Sequence, residues 1–189
     1  QLSLEHGNTE ESALGYVVHG FTLGTRRGEY RAGNEFGRLG IQLNDRFGDI
    51  RLRGKVHELF GCFVKPWRSP LRDCIESQRT AFLAGTEGGD FAYGSYGGFV
   101  ETWYAVLTCE RLEGLDEAYE PVMEFLRSIK NRSFEEAERL ILNWASALGG
   151  RTNGPTSLVG AGFSEEDFLA GFGQAPFFRV FYDIVKLHL

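Results

Sequence analysis

Residues 71–90, LRDCIESQRTAFLAGTEGGD, set the reading of the whole chain. Their apolar positions fall at helical spacing, and Gly88-Gly89-Asp90 supplies a stop signal. Residues 30–49, YRAGNEFGRLGIQLNDRFGD, lie 41 residues earlier and follow the same plan, ending in Gly48-Asp49. Arg31 aligns with Arg72, Glu35 with Glu76 and Arg38 with Arg79. A helix-rich unit recurring at roughly 34 to 47 residues is the sequence signature of stacked helix pairs. No stretch announces a chemical reaction.

Working outward, the chain reads as helices joined by short turns. Glu10 and Glu11 suit the positive end of a helix that Asn8 or Thr9 caps and that Arg26-Arg27-Gly28 closes. The next helix spans about 29–46 and carries two apolar rows, Tyr30-Gly33-Gly37-Gly40 and Phe36-Leu39-Leu43-Phe47. Two rows predict contact on two sides. Asp49 caps a third helix with the stripe Leu52, Val56, Leu59, Phe60 and Phe63. Pro66 and Pro70 end it. After 71–87, the segment 91–111 is rich in aromatics separated by Gly94, Gly97 and Gly98; strand is the rival there, and length favours helix. A helix over 115–130 follows, then one that a Ser133–Glu136 capping box opens. Its stripe of Phe134, Ala137, Leu140, Ile141, Trp144, Ala145 and Leu148 is the cleanest in the chain. Residues 150–163 read as a loop. Ser164 opens a short helix, and Ala175-Pro176 starts a last one.

Composition narrows the classes of function. Net charge is −6, and the only basic cluster, Arg26-Arg27 with Arg31, is interrupted by Glu29. Nucleic-acid binding needs clustered cations to neutralise phosphates and is disfavoured. No apolar run approaches the roughly 20 residues of a membrane span, so no membrane insertion is expected. Cys62, Cys74 and Cys109 are odd in number with no C-x-x-C spacing, which fits reduced thiols in a cytoplasmic chain. The 25 glycines are about twice the usual share. In helices they predict close contacts opposite bulky Phe, or a marginally stable segment. The chain opens on Gln1 without a signal peptide and ends without a stop signal, which suggests a piece of a larger protein.

The motifs that carry chemistry are missing. His57-Glu58 begins an H-E-x-x-H, but Gly61 stands where the second His belongs, so no zinc site is expected. Gly24-Thr25-Arg26-Arg27-Gly28 lacks the G-K-[ST] of a P-loop, and Gly160-Ala161-Gly162 is too short for a dinucleotide fingerprint. There is no G-x-S-x-G elbow. Glu10-Glu11, Glu135-Glu136 and Glu165-Glu166 lie at helix starts, where the dipole explains them. No cofactor is expected and no catalytic residue stands out. Tyr96, Trp103 and Tyr104 could line a groove, although aromatics at helical spacing are usually core. With His19 and His57 they form the candidate interaction surface.

The run SLEHGNTEESALGYVVHGFTLG, then FGRLGIQLNDRFGDIRLRGKVHELFGCFV, then WRSPLRDCIESQRTAFLAGTEGGDFAYGSY, resembles the helical region of a family of large bacterial and fungal signalling proteins. The later GFSEEDFLAGFGQ belongs to the same resemblance. In that family a predicted AAA-type, STAND-like ATPase domain precedes a tetratricopeptide-like region. A serine/threonine kinase often precedes the ATPase, and GAF and histidine kinase domains often follow the helices. The phosphotransfer motifs lie outside this region, so the resemblance carries over no catalytic residue. The chain departs from the strict repeat: its period is nearer 40 residues, W-x-x-L-G-x-x-Y is missing, and Gly occupies helix-facing positions.

The expectation is therefore an all-α, tetratricopeptide-like solenoid of antiparallel helix pairs, about four of them, in a right-handed superhelix. Residues 1–149 form the repeats, 150–163 a loop, and 164–189 continue the stack. The resemblance implies a non-catalytic segment that binds neighbouring domains or a protein partner and relays a signal. The alternative is a free-standing helical sensor of a small-molecule effector. Exposed ends of an uncapped stack also predict self-association.

Overall fold

The computed structural model describes residues 2–109, 111–160, 162–171 and 176–189. Among these the chain is all-helical, with no strand and one isolated bridge between Gly160 and Phe163. Ala161, Phe172, Gly173, Gln174 and Ala175, on which parts of the expected loop and helix starts fall, lie outside the described residues. The chain divides into two compact units, Gln1–Tyr104 and Ala105–Leu189.

The first unit begins with a short helix, α1 (Leu2–His6), followed by α2 (Ser12–Arg27), α3 (Tyr30–Phe47) and α4 (Ile50–Leu59). A π-helical turn (Phe60–Val64) and a 3-10 turn (Lys65–Trp67) lead into α5 (Leu71–Glu87) and α6 (Phe91–Thr108). The turns are those the sequence calls for. Gly28 and Gly48 take the left-handed conformation that closes α2 and α3, and the Asp49 carboxylate accepts from Arg51 N at 2.9 Å to cap α4.

Glycines set how closely these helices approach. A Cβ on Gly33 would stand 2.6 Å from the Gly20 carbonyl oxygen, and one on Gly40 would stand 2.6 Å from Val17. Residue number rises on α2 as it falls on α3, so the two run antiparallel. Gly54 against Gly85, and Gly61 against Ser77, give the same arrangement for α4 and α5. Gly85 against Gly94 and Gly97 against Phe82 repeat it for α5 and α6. Glu10 pairs with Arg51, 41 residues on, at 2.9 Å, and the Phe21 and Phe63 rings meet at 5.4 Å. Residue number therefore rises along α2 as it rises along α4 and its π-turn, and these two helices are parallel. Ala13, Val17, Leu43, Val56, Phe60 and Val64 form the core between them. Each large side chain there contributes on the order of 1.5–3 kcal/mol by leaving water.

Four local expectations need correction. The helix over 12–27 starts at Ser12 with Glu11 at the cap position and no side-chain bond, so neither Asn8 nor Thr9 caps it. Instead Ser12 Oγ accepts from Thr9 N at 3.0 Å and holds the preceding turn. The second apolar row of α3 makes contact at only two of its four positions: Leu43 is in the core and Phe36 meets the Tyr16 and His19 rings, whereas Leu39 and Phe47 are exposed. Phe63 is 42% exposed while Val64 is 3% exposed. The π-turn inserts an extra residue per turn and rotates the stripe by one position. The Ser133 capping box is replaced by Asn131, whose Oδ1 accepts from Phe134 N at 3.4 Å, so the helix starts at Arg132.

The second unit holds the last turn of α6, then α7 (Leu115–Ser128), α8 (Arg132–Leu148), α9 (Glu165–Gly171) and α10 (Pro176–Leu187). α7 packs on α8, and α10 also touches α8. The buried faces are Tyr119, Val122, Met123, Phe125 and Leu126 on α7 and Ala137, Leu140, Ile141, Trp144 and Ala145 on α8. Ser164 Oγ accepts from Asp167 N at 3.2 Å and starts α9 as expected. Phe168 of α9 stacks on Tyr182 of α10 at 5.8 Å. The Tyr182 hydroxyl donates to Glu165, which also accepts from Leu158 N at 2.8 Å and pairs with Lys186 at 3.1 Å. No helix of the described residues is long and apolar enough to cross a membrane.

Candidate functional site

α3 and α5 both run antiparallel to α4, and between them opens a groove of about 450 Å³. One wall is α3, with Asn34, Arg38, Ile41 and Gln42. The other is α5, with Glu76, Ser77 and Thr80. Their spacing follows from the helix period: Asn34, Arg38 and Gln42 are each one turn apart, as are Glu76 and Thr80, so each set shares a face. The floor is His57 of α4 and Phe60 of the π-turn, and Lys65 and Ser69 close one end.

The floor depends on two glycines and the π-turn. At Gly37 of α3 a Cβ would stand 2.6 Å from the Phe60 ring, so only glycine lets the ring reach α3. At Gly61 a Cβ would stand 2.7 Å from Ser77 and from Gln78 Nε2, so glycine brings the turn against α5. Lys65 N donates to the Phe60 carbonyl, the i→i+5 bond that defines the turn. Such turns recur at functional positions because they aim a side chain that a regular helix would turn away.

Polar groups in the groove are sparsely committed. Neither Arg38 nor Glu76 forms an ion pair among the described residues, whereas Lys65 Nζ donates to the Asp73 carbonyl at 2.5 Å. His57 Nδ1 is buried with no hydrogen-bond partner. Burial holds the His57 imidazole below its ordinary pKa, with nearby Arg53 and Lys65 adding to the effect against Asp45 and Glu76. Burial therefore favours its neutral form. The next residue, Glu58, points into the core: it is 4% exposed, and burial pushes its carboxyl up to about 7. Burial likewise drives the Cys62 thiol up to about 12, which makes it a poor nucleophile.

Of the five residues singled out in the sequence, His57 lies in this groove. His19 is exposed on α2, with its ring edge-on to Phe36 at 4.6 Å. Tyr96 is exposed on α6 and meets Tyr93 edge-on at 5.9 Å. Trp103 is half-buried and stacks on Phe99 at 6.5 Å. Tyr104 is buried, and its hydroxyl donates to the Gly61 carbonyl at 3.4 Å. None of these last four lines the groove. Asn34, Arg38, Gln42, Glu76 and Thr80 carry no motif. The 41-residue alignment does not mark them either: it pairs Arg38 with Arg79 and Glu76 with Glu35, and neither Arg79 nor Glu35 lines the groove.

No group of three or more His, Cys, Asp or Glu among the described residues is placed to hold a metal. Comparison with known proteins finds no family model, no curated protein and no solved structure that matches the chain. Chemically, the groove offers cationic, anionic, amide and hydroxyl groups over an aromatic floor.

Proposed function

We propose that the chain is a tetratricopeptide-like helical-repeat segment, a right-handed solenoid of about four helix pairs, that binds rather than catalyses. Its role is interaction with a protein partner or a neighbouring domain and relay of that event to an attached kinase or ATPase. One observation carries the reading: α3 and α5, 41 residues apart in sequence, flank a polar groove built on glycine contacts. Stacked pairs flex by small rotations between repeats, so an occupant of a groove between equivalent helices favours one spacing over another. The same family resemblance that runs through the helix-end motifs supports a place inside a multidomain signalling protein.

The test is the coding sequence on either side of this segment, followed by kinase assays of the parent protein. A P-loop upstream and a kinase or GAF domain downstream are expected. Kinase output that stays constant when the groove residues Arg38 and Glu76 are substituted would sink the relay.

The second reading, a sensor of a small-molecule effector, is favoured by the groove's size. About 450 Å³ falls in the roughly 300–1,000 Å³ range of ligand pockets.

A further inference from the structure

The charges of the groove specify what its occupant carries. Arg38 and Glu76 line the same space from opposite walls, and neither has an ion-pair partner among the described residues. Lys65, at the end of the groove, has its ammonium held on the Asp73 carbonyl, so a simple anion between the walls would meet Arg38 and be opposed by Glu76. A simple cation would meet Glu76 and be opposed by Arg38. An occupant bearing both charges satisfies both walls.

The neighbouring side chains sort in the same way. Asn34 and Gln42 stand one turn before and one turn after Arg38, roughly 6 Å away along the helix, so the α3 wall offers amide donors beside the guanidinium. On the α5 wall, Thr80 Oγ1 donates its proton to the Glu76 carbonyl at 2.9 Å. Its lone pairs are left to accept, alongside the Glu76 carboxylate. The α3 wall thus donates to a carboxylate and the α5 wall accepts from an ammonium. Phe60 and Ile41 supply an apolar surface, and the neutral His57, with its buried Nδ1 unpartnered, supplies a further polar contact on the floor.

The geometry points to a small zwitterion, one ammonium and one carboxylate on a short carbon frame, as the ligand of this groove. Its carboxylate lies on Arg38 and the flanking amides, its ammonium on Glu76 and Thr80, and its carbon frame over Phe60 and Ile41. This inference rests on the small-molecule reading and names its chemistry.

Calorimetric titration of the 189-residue chain with the twenty free amino acids, β-alanine and γ-aminobutyrate tests it. A set of sugars, nucleosides, simple amines and simple carboxylates is run alongside. At least one zwitterion is expected to bind with a Kd below about 1 mM. Its N-acetyl and carboxamide derivatives, each lacking one charge, are expected to bind about tenfold more weakly or worse. Arg38→Gln weakens the parent zwitterion and removes the loss seen with the carboxamide. Glu76→Gln does the same for the N-acetyl derivative. Both side chains are exposed, so the variants keep the fold, which a thermal melt verifies. The inference is overturned by a panel with no zwitterion bound, or by derivatives that bind as well as the parent. If a sugar, nucleoside or singly charged compound binds and no zwitterion does, the small-molecule reading survives and the zwitterion does not.

Discussion

Gly20 and Gly33 meet backbone to backbone across α2 and α3, so closely that a Cβ on either would overlap the other's carbonyl oxygen. Helix glycine costs about 1 kcal/mol against alanine, so its presence here reflects the approach it permits. Gly15, on the same helix, has nothing within 4 Å of a Cβ position. Gly20→Ala is expected to destabilise the chain by about 1–3 kcal/mol through forced separation of the pair. Gly15→Ala is expected to stabilise it by up to about 1 kcal/mol. Urea unfolding of the two variants should move in opposite directions; equal shifts would refute the glycine packing.

Glu58 makes stability depend on pH. Its folded pKa of about 7 lies above its ordinary 4.5 because burial disfavours the carboxylate. Its contribution is full below pH 4.5, falls as the unfolded chain alone ionises, and is lost by about pH 7. The loss is roughly 3 kcal/mol. His57 acts in the opposite sense: held neutral by burial, it favours the fold above its ordinary 6.5 and loses that contribution as pH falls. Glu58→Gln isolates the carboxyl. The stability of this variant relative to the parent chain should rise between pH 4 and pH 8, and a flat difference would show that Glu58 ionises freely.

Arg79 donates to Glu101 at 2.8–2.9 Å, and the Glu101 side chain is buried. Burial raises the Glu101 pKa, and Arg79 offsets part of that rise. Because the Arg79 side chain is itself largely exposed, Arg79→Met is expected to cost about 1–2 kcal/mol at pH 7. The same melt at pH 4, where Glu101 is closer to neutral, should show a smaller effect.

In the second unit, Glu165 joins three segments through Leu158, Tyr182 and Lys186. Tyr182→Phe removes one hydrogen bond to a carboxylate and is expected to cost about 1.5–3 kcal/mol. Hydrogen exchange should speed up over 156–160, 162–171 and 176–189 and stay unchanged over 12–87. Acceleration in the first unit would contradict the local role.

The helices were legible because their signals are local. Gly28, Gly48 and Asp49 sit where a helix must end or begin, and the 41-residue offset marks α3 and α5 as equivalent helices. The glycine row of α3 was legible as a close-contact face. The groove was not. Arg38 and Glu76 each look like an ordinary exposed charge, and only the packing of both helices on α4 brings them to one space. The π-turn at Phe60 has no pattern that marks it, so a regular helical period stops one residue short, at Phe63 instead of the buried Val64. The aromatics of α6 showed a helix but not which ring would be buried: Tyr104 ended in the core and Tyr96 in solvent.

That the space between α3 and α5 is where this segment binds is tested most directly by amide-shift mapping of the whole chain during titration with the zwitterion panel. The account predicts shifts that saturate together at Asn34, Arg38, Gln42, His57, Phe60, Glu76 and Thr80. Shifts confined to α8–α10, or none along α3 and α5 at saturation, would contradict it.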